Sequence, residues 1–370
     1  MGRSVTRLRI GVIGQGHFAQ SAVLPAMEQL ETVEIAALIS GSRHKLEELG
    51  ERYHVKAVGD YSELDRVLER EKLDAVYIAV PNDMHAEMTV IAARHGCHVL
   101  CEKPMAPTEA ECMQMIRACE QRRLKLMIAY RLHFEAANLC AIEVTRGGEI
   151  GDARLFSSVF SMQIKDGNIR VQARRGGGPL YDIGIYCINA ARYLFRTEPI
   201  EVTALRLAGR DPRFSATDEA FGVTMRFPDE RVAQFTCSFG AHERSMYQVI
   251  GTDGYLLLEN AYDHAAEEMR LRVCGPHGER NRSFPKRDQI AAEIEYFARC
   301  IRDDVDPEPS GWEGLADVRI IQALQQSARF GRAVPIEPIP RRKRPDLGQQ
   351  IHVDPVQHEP PLVDVESPTK

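Results

Sequence analysis

The sequence predicts an α/β protein of two domains, the first built on a parallel sheet and the second, α+β, on an open, mostly antiparallel sheet. Three observations predict it. Short apolar runs alternate with helical stretches over the first 130 residues, and wholly apolar strands separated by helices belong to parallel sheets covered on both faces. A glycine turn, Gly14-Gln15-Gly16-His17-Phe18-Ala19, follows the first apolar run directly. Beyond Arg131 the runs alternate with a period of two and are separated by turn pairs such as Pro228-Asp229 and Asp253-Gly254, as antiparallel strands do.

The strands expected in the first domain (1–130) are Leu8–Ile13, Val33–Ile39, Val55–Val58, Leu73–Val80, Cys97–Lys103 and Leu124–Tyr130. Helices are expected after the glycine turn as far as Leu30, then at Arg43–Tyr53, Ser62–Arg70, Met84–His95 and Thr108–Arg122. In the second domain (131–335) helices are predicted at Phe134–Thr145, Leu180–Phe195, Arg287–Arg302 and Glu313–Phe330. Alternating runs there cover Ala153–Ile164, Glu219–Phe227, Arg231–Phe239 and Tyr247–Glu259. From Ile336 to Lys370 the chain is rich in proline and charge and has neither period, so a mostly disordered tail is expected.

Composition narrows the function. At 370 residues, 44% hydrophobic and 27% charged, the chain is an ordinary globular protein. A net charge of -6 speaks against nucleic acid as a partner. No apolar stretch approaches a membrane span, and the start reads as a strand, not a leader. The nine cysteines form no CxxC pair and fit neither a disulfide framework nor a zinc site. A cytoplasmic protein with reduced thiols and no metal is expected.

The glycine turn carries a cofactor signal. Gly14 permits a tight turn, Gly16 lets the backbone approach a pyrophosphate, and Ala19 lets the helix pack closely on the sheet. The helix start then faces the phosphates. This is the pattern of a Rossmann domain; without a ligand it would be a tight turn only. At the end of the second strand an NAD site usually carries a carboxylate for the ribose 2′-OH. Here the chain reads Ser40-Gly41-Ser42-Arg43-His44-Lys45, hydroxyls and cations suited to a 2′-phosphate. NADP is therefore expected, with an exposed basic helix turn as the bland alternative.

Two further segments carry chemistry. Glu102-Lys103-Pro104 ends a parallel strand, where ligand crevices open. Gly176-Gly177-Gly178-Pro179-Leu180-Tyr181-Asp182-Ile183-Gly184-Ile185-Tyr186 opens a helix, with Asp182 and Tyr186 four apart on one face. Together with the glycine turn and Ala129-Tyr130-Arg131, these segments resemble the Gfo/Idh/MocA oxidoreductase family over residues 7–335. Tyr186 and Ser40-Gly41-Ser42 with Lys45 resemble its glucose–fructose oxidoreductase branch.

The resemblance implies roles. Lys103 would sit by the nicotinamide and favour the ionised phenol of Tyr186. Tyr186 would be the general acid/base, its free pKa of about 10 needing such a cation. Asp182 would orient a sugar hydroxyl. Pro81-Asn82 and His85, similar to the family's PNxxH, would border the nicotinamide side. Glu102 would accompany Lys103 at the cofactor, and Arg131 and His133 would line the crevice beyond it. Plainer readings stay open: Asp182 as a helix cap, Tyr186, His85 and His133 as packing, and Lys103 as a surface residue. Cys187 reads as core, and Arg174-Arg175 as either phosphate-binding or solvated.

The resemblance thus implies an NADP-dependent sugar oxidoreductase, oxidising an aldose at C1 to a lactone or reducing a carbonyl sugar. The glucose–fructose branch has a leader and an N-terminal arm that locks in its cofactor. Residues 1–7 leave little room for one, so a plain dehydrogenase with exchangeable NADP is an equal expectation. A non-catalytic NADP-binding sensor and a dihydrodiol dehydrogenase-like enzyme are the alternatives. Family members pair through the C-terminal sheet, which implies a homodimer or homotetramer.

Overall fold

The computed structural model describes residues 7–340, 343–357 and 360–369. The chain divides into two compact units, each assembled from separated stretches of sequence. The first comprises residues 1–131, 288–314 and 351–367, and the second comprises 132–287, 315–350 and 368–370.

The first unit is a six-stranded sheet in the order β3-β2-β1-β4-β5-β6. Its strands are β1 (Leu8–Ile13), β2 (Val33–Ile39), β3 (Ala57–Gly59), β4 (Ala75–Ile78), β5 (His98–Glu102) and β6 (Leu126–Ala129). Every pairing is parallel, as expected for strands such as Ala75–Ile78 that are buried throughout. Order reverses between β1 and β4, the topological switch point where such sheets bind ligands. The helices are α1 (Leu24–Glu28), α2 (Arg43–Arg52), α3 (Leu64–Glu71), α4 (His85–Arg94) and α5 (Glu109–Glu120). Side chains cap them: Ser42 starts α2 and Thr108 starts α5.

The second unit holds a nine-stranded sheet in the order β14-β13-β12-β11-β7-β10-β9-β8-β15. These are β7 (Ala153–Ser161), β8 (Glu201–Leu207), β9 (Ala220–Phe227), β10 (Arg231–Ser238), β11 (Arg244–Gly251), β12 (Tyr255–Glu259), β13 (Glu268–Gly275), β14 (Gly278–Pro285) and β15 (Val334–Pro335). Only β7 and β10 pair in parallel; the other pairings are antiparallel. Phe156, Phe160, Phe235 and Tyr247 point to the buried face. They pack toward α6 (Ala136–Arg146) and α7 (Ile185–Phe195). On the other face Leu155, Leu205 and Leu207 are exposed.

Two expectations need correction. The helix expected at Arg287–Arg302, here α8 (Gln289–Arg302), belongs to the first unit. Asp288 caps it and accepts from Gln29 at 2.6 Å. Thr32 donates to Glu295, and Lys125 pairs with Asp304 at 2.9 Å. These polar contacts tie the segment to the parallel sheet's unit. The tail, expected to be disordered, is bonded along its described length. Arg344 reaches Glu198 at 2.5 Å, Val353 accepts from the Asp288 N–H at 3.0 Å, and Pro368 accepts from the Lys165 N–H at 2.9 Å. Prolines and charges removed the periodicity without removing the partners.

A buried ion network anchors α7. Arg192 is fully buried and donates to Glu198 at 2.6 and 3.0 Å and to Asp317 at 2.6 Å. Asp317 lies on α9 (Gly311–Phe330) and also accepts from Asn189 at 3.0 Å. Two guanidiniums, Arg192 and Arg344, balance two carboxylates. Among the described residues no helix is long and apolar enough to cross a membrane.

Arg192→Leu is expected to strand Asp317 and Glu198 as buried carboxylates and to cost about 3–5 kcal/mol. Urea unfolding of the variant checks this, and a loss below about 1 kcal/mol would contradict it.

Candidate active site

The glycine turn forms the first part of the site. Gly14 has φ +100°, and a Cβ there would lie 2.4 Å from the Ala79 carbonyl oxygen. Only glycine fits where β1 and β4 end side by side. Gly16 is exposed, with nothing within 4 Å of where its Cβ would point. The helix beginning at His17 starts beside that open space. The cradle therefore fits a dinucleotide's pyrophosphate, with backbone N–H groups and the helix dipole facing the anion. Phe18 and His17 are half-buried on its rim, and Ala19 is buried against the sheet.

The turn after β2 is interlocked. The Ser42 N–H donates to the Ser40 hydroxyl at 3.2 Å, and the Lys45 N–H donates to the Ser42 hydroxyl at 3.4 Å. Both hydroxyls keep their hydrogens to donate. Ser40 is buried, Gly41 is exposed and Lys45 is half-buried. No carboxylate stands at the strand's end.

After β4, Pro81 and Asn82 are half-buried and accessible. His85 is not. It has no exposed surface, and its ring nitrogens lie 2.9 Å from the carbonyls of Val80 and Pro104. Burial lowers its pKa. Bordering the cofactor is thus corrected to a positioning role, bridging the loops after β4 and β5.

Lys103 is half-buried at the end of β5. Glu102 beside it faces inward: Tyr77 donates to it at 2.6 Å, and the Lys103 N–H donates at 3.2 Å. Its two carboxylate oxygens are engaged by Tyr77 and by the Lys103 N–H, which ties Lys103 to the strand end. Tyr77 also lies 3.4 Å from Glu293, a fully buried carboxyl that sequence reasoning missed. Burial, then the charge of Glu102, pushes Glu293 well up, and burial raises Glu102 as well. Arg131, 5% exposed, donates to Gln289 and lowers the pKa of both carboxyls. Its expected place at the cofactor is corrected to support beneath β5.

Asp182 and Tyr186 belong to the second unit. The three glycines before them are a cradle for protein. A Cβ on Gly177 would lie 2.5 Å from the Arg170 carbonyl oxygen, which accepts from the Gly178 N–H at 2.8 Å. This approach brings Arg170 to Asp182, Nε to Oδ2 at 2.8 Å. Arg170 was missed because no motif contains it. Asp182 and Tyr186 are both half-buried. Leu180–Gly184 is a π turn leading into α7, a feature frequent at functional sites. The Tyr186 ring rests on Phe160 and Tyr262 at centroid distances of 5.6 and 5.9 Å. Cys187 is buried core, its thiol pushed up to about 12 by burial. His133 is likewise packing, buried and 2.7 Å from Asn189, which corrects its expected place in the crevice.

Comparison with known proteins agrees with this geometry. Residues 8–130 match the model of an oxidoreductase family with an NAD-binding Rossmann fold, and residues 140–257 match the GFO/IDH/MocA C-terminal domain. The chain belongs to the Gfo/Idh/MocA oxidoreductase family. It is 31% identical to a dTDP-3,4-didehydro-2,6-dideoxy-alpha-D-glucose 3-reductase from Saccharopolyspora spinosa, over 88% of this chain and 98% of that one. It is 28% identical to an NADP(+) D-xylose 1-dehydrogenase from Haloarcula marismortui, over 89% and 93%. Among solved structures, an aldose-aldose oxidoreductase from Caulobacter crescentus, complexed with glycerol, is 35% identical. It superposes with a TM-score of 0.84 over 89% of this chain and 100% of that one. These relatives are sugar-related oxidoreductases.

Glu293→Gln tests the buried pair. A raised folded-state pKa means the native state holds a proton that the unfolded chain has released, so stability falls as pH climbs above the ordinary value of 4.5. The glutamine variant is expected to gain in Tm relative to the parent as pH rises above 4.5. A gap that stays constant or reverses would contradict this.

Proposed function

We propose that this chain is an NADP-dependent oxidoreductase acting on CH–OH groups of sugars, oxidising an aldose at C1 to a lactone and, in reverse, reducing a carbonyl sugar. The observation that carries it is Asp182, oriented by Arg170 and one helical turn ahead of Tyr186. Arg170 holds the Asp182 carboxylate in the orientation in which it accepts a substrate hydroxyl. Tyr186 takes the hydroxyl proton as general base and returns it in the reverse direction. The Lys103 ammonium stabilises the phenolate and the developing oxyanion. The nicotinamide, when bound, accepts or supplies the hydride.

NADP as the cofactor is supported by the Ser40–Lys45 turn and by the NADP(+) xylose dehydrogenases among the relatives. A second reading, reduction of a nucleotide-linked keto sugar, draws on the similarity to sugar 3-reductases. Cysteines that are buried in the fold and form no CxxC pair support action in the cytoplasm. Leu155, Leu205 and Leu207 on the open sheet face support a homodimer or homotetramer.

Following NADPH absorbance with glucose, xylose and a nucleotide-linked keto sugar, each supplied singly, separates the readings. Turnover of a free aldose, faster with NADP than with NAD, is expected. Conversion only when a second sugar is present would indicate sugar-to-sugar exchange on a retained cofactor, and faster NAD turnover would overturn the cofactor reading. Lys103→Ala and Tyr186→Phe are each expected to lower kcat by about 10²–10⁴ while NADPH binding persists. Leu205→Lys is expected to shift sedimentation toward the monomer.

A further inference from the structure

The tail segment 360–366 docks on the same two elements that flank the adenosine end of the cofactor site. Gln20, 1% exposed, lies one turn into the helix after the glycine turn. Its side-chain amide grips the backbone of Val363 at both groups. The Val363 N–H donates to Oε1 at 2.7 Å, and Nε2 donates to the Val363 carbonyl at 3.0 Å. The same Nε2 donates to the Gln15 carbonyl inside the glycine turn at 3.0 Å. The Val363 side is buried. One residue on, Asp364 meets His44 at 2.8 Å in the first turn of α2. Two residues before Val363, the Pro361 carbonyl accepts from Arg52 at the end of α2 at 2.7 Å. The segment thus runs along α2 and is stitched to the helix beside it.

The adenosine ribose of a Rossmann-bound dinucleotide lies between the glycine turn and the end of the second strand. Resting on the reading that NADP binds here, we propose that residues 360–366 are a retaining strap for the adenosine 2′-phosphate end of the dinucleotide, with Gln20 and His44 as its anchors. The strap leaves the pyrophosphate seat clear, since nothing lies within 4 Å of the open side of Gly16. It therefore does not plug the site. Asp364 is matched by His44, while Arg43, exposed and paired with Glu47 at 2.8 Å, and Lys45 stay on the same turn for the phosphate. Holding the first turn of α2 against the glycine-turn helix fixes the two walls that a departing adenosine must part.

The test is the rate of NADPH release, read by the loss of nicotinamide fluorescence on displacement with excess NADP. A chain ending at Gln357 and the point variant Val363→Pro, which lacks the N–H given to Gln20, are compared with the full chain. Thermal melts without cofactor confirm that both fold. Loss of at least the Val363–Gln20 hydrogen bond predicts release about tenfold faster in each variant, with the preference for NADPH over NADH unchanged. Unchanged release in folded variants overturns the strap. Slower release or tighter binding overturns it too, showing that the tail competes with the cofactor. Failure of the full chain to bind NADPH at all overturns the cofactor reading together with the strap.

Discussion

The closed charge balance around Arg192 is the constraint on which the packing of the second unit rests. A guanidinium with no exposed surface cannot stay charged without partners, and Glu198 and Asp317 supply them with good geometry. The network fixes the C-terminal half of α7 against α9. The N-terminal half of α7 carries Tyr186. Its phenol is therefore aimed by an ion cluster two turns away and by the Phe160 and Tyr262 rings beneath it. Arg344, far along the chain, completes the cluster, so residues that read as tail help hold the helix that carries Tyr186.

Glycine does two different jobs in the two units. At Gly14 it lets two strand ends touch, which opens a seat for a ligand. At Gly177 it lets one loop press on another, which delivers a charged side chain to Asp182. The sequence marks both as glycine-rich turns, and only the coordinates separate them. Each lies beside a helix with a π turn, Ala19–Val23 and Leu180–Gly184. The wider turn in the first of these carries Gln20, whose amide faces the tail.

Most of the parallel sheet was legible, because β1, β2, β4, β5 and β6 are largely apolar and separated by helical periods. The glycine turn, Lys103, Asp182 and Tyr186 stood out by motif. Strand β8 was missed although Glu201–Leu207 alternates, because its outward side carries leucines that look like core. Strand β14 was missed for the opposite reason: Gly278–Pro285 is polar and exposed almost throughout. Buried polar groups were misread in kind. His85, Glu102 and Arg131 sit in motif positions, yet their side chains are spent on carbonyls, a tyrosine and a glutamine. Pattern identifies where such a residue stands and not which way it turns. Glu293 and Arg170 belong to no pattern and required three dimensions.

The two margins of the nine-stranded sheet have a consequence for self-assembly. Strand β14 presents Glu279, Arg280 and Arg282 along an exposed edge, and at the other margin β15 is two residues long and ends in Pro335. Neither invites another strand to add. Strand addition from another copy is disfavoured at both margins, which leaves the outer face with Leu155, Leu205 and Leu207 as the apolar surface of this sheet open to contact.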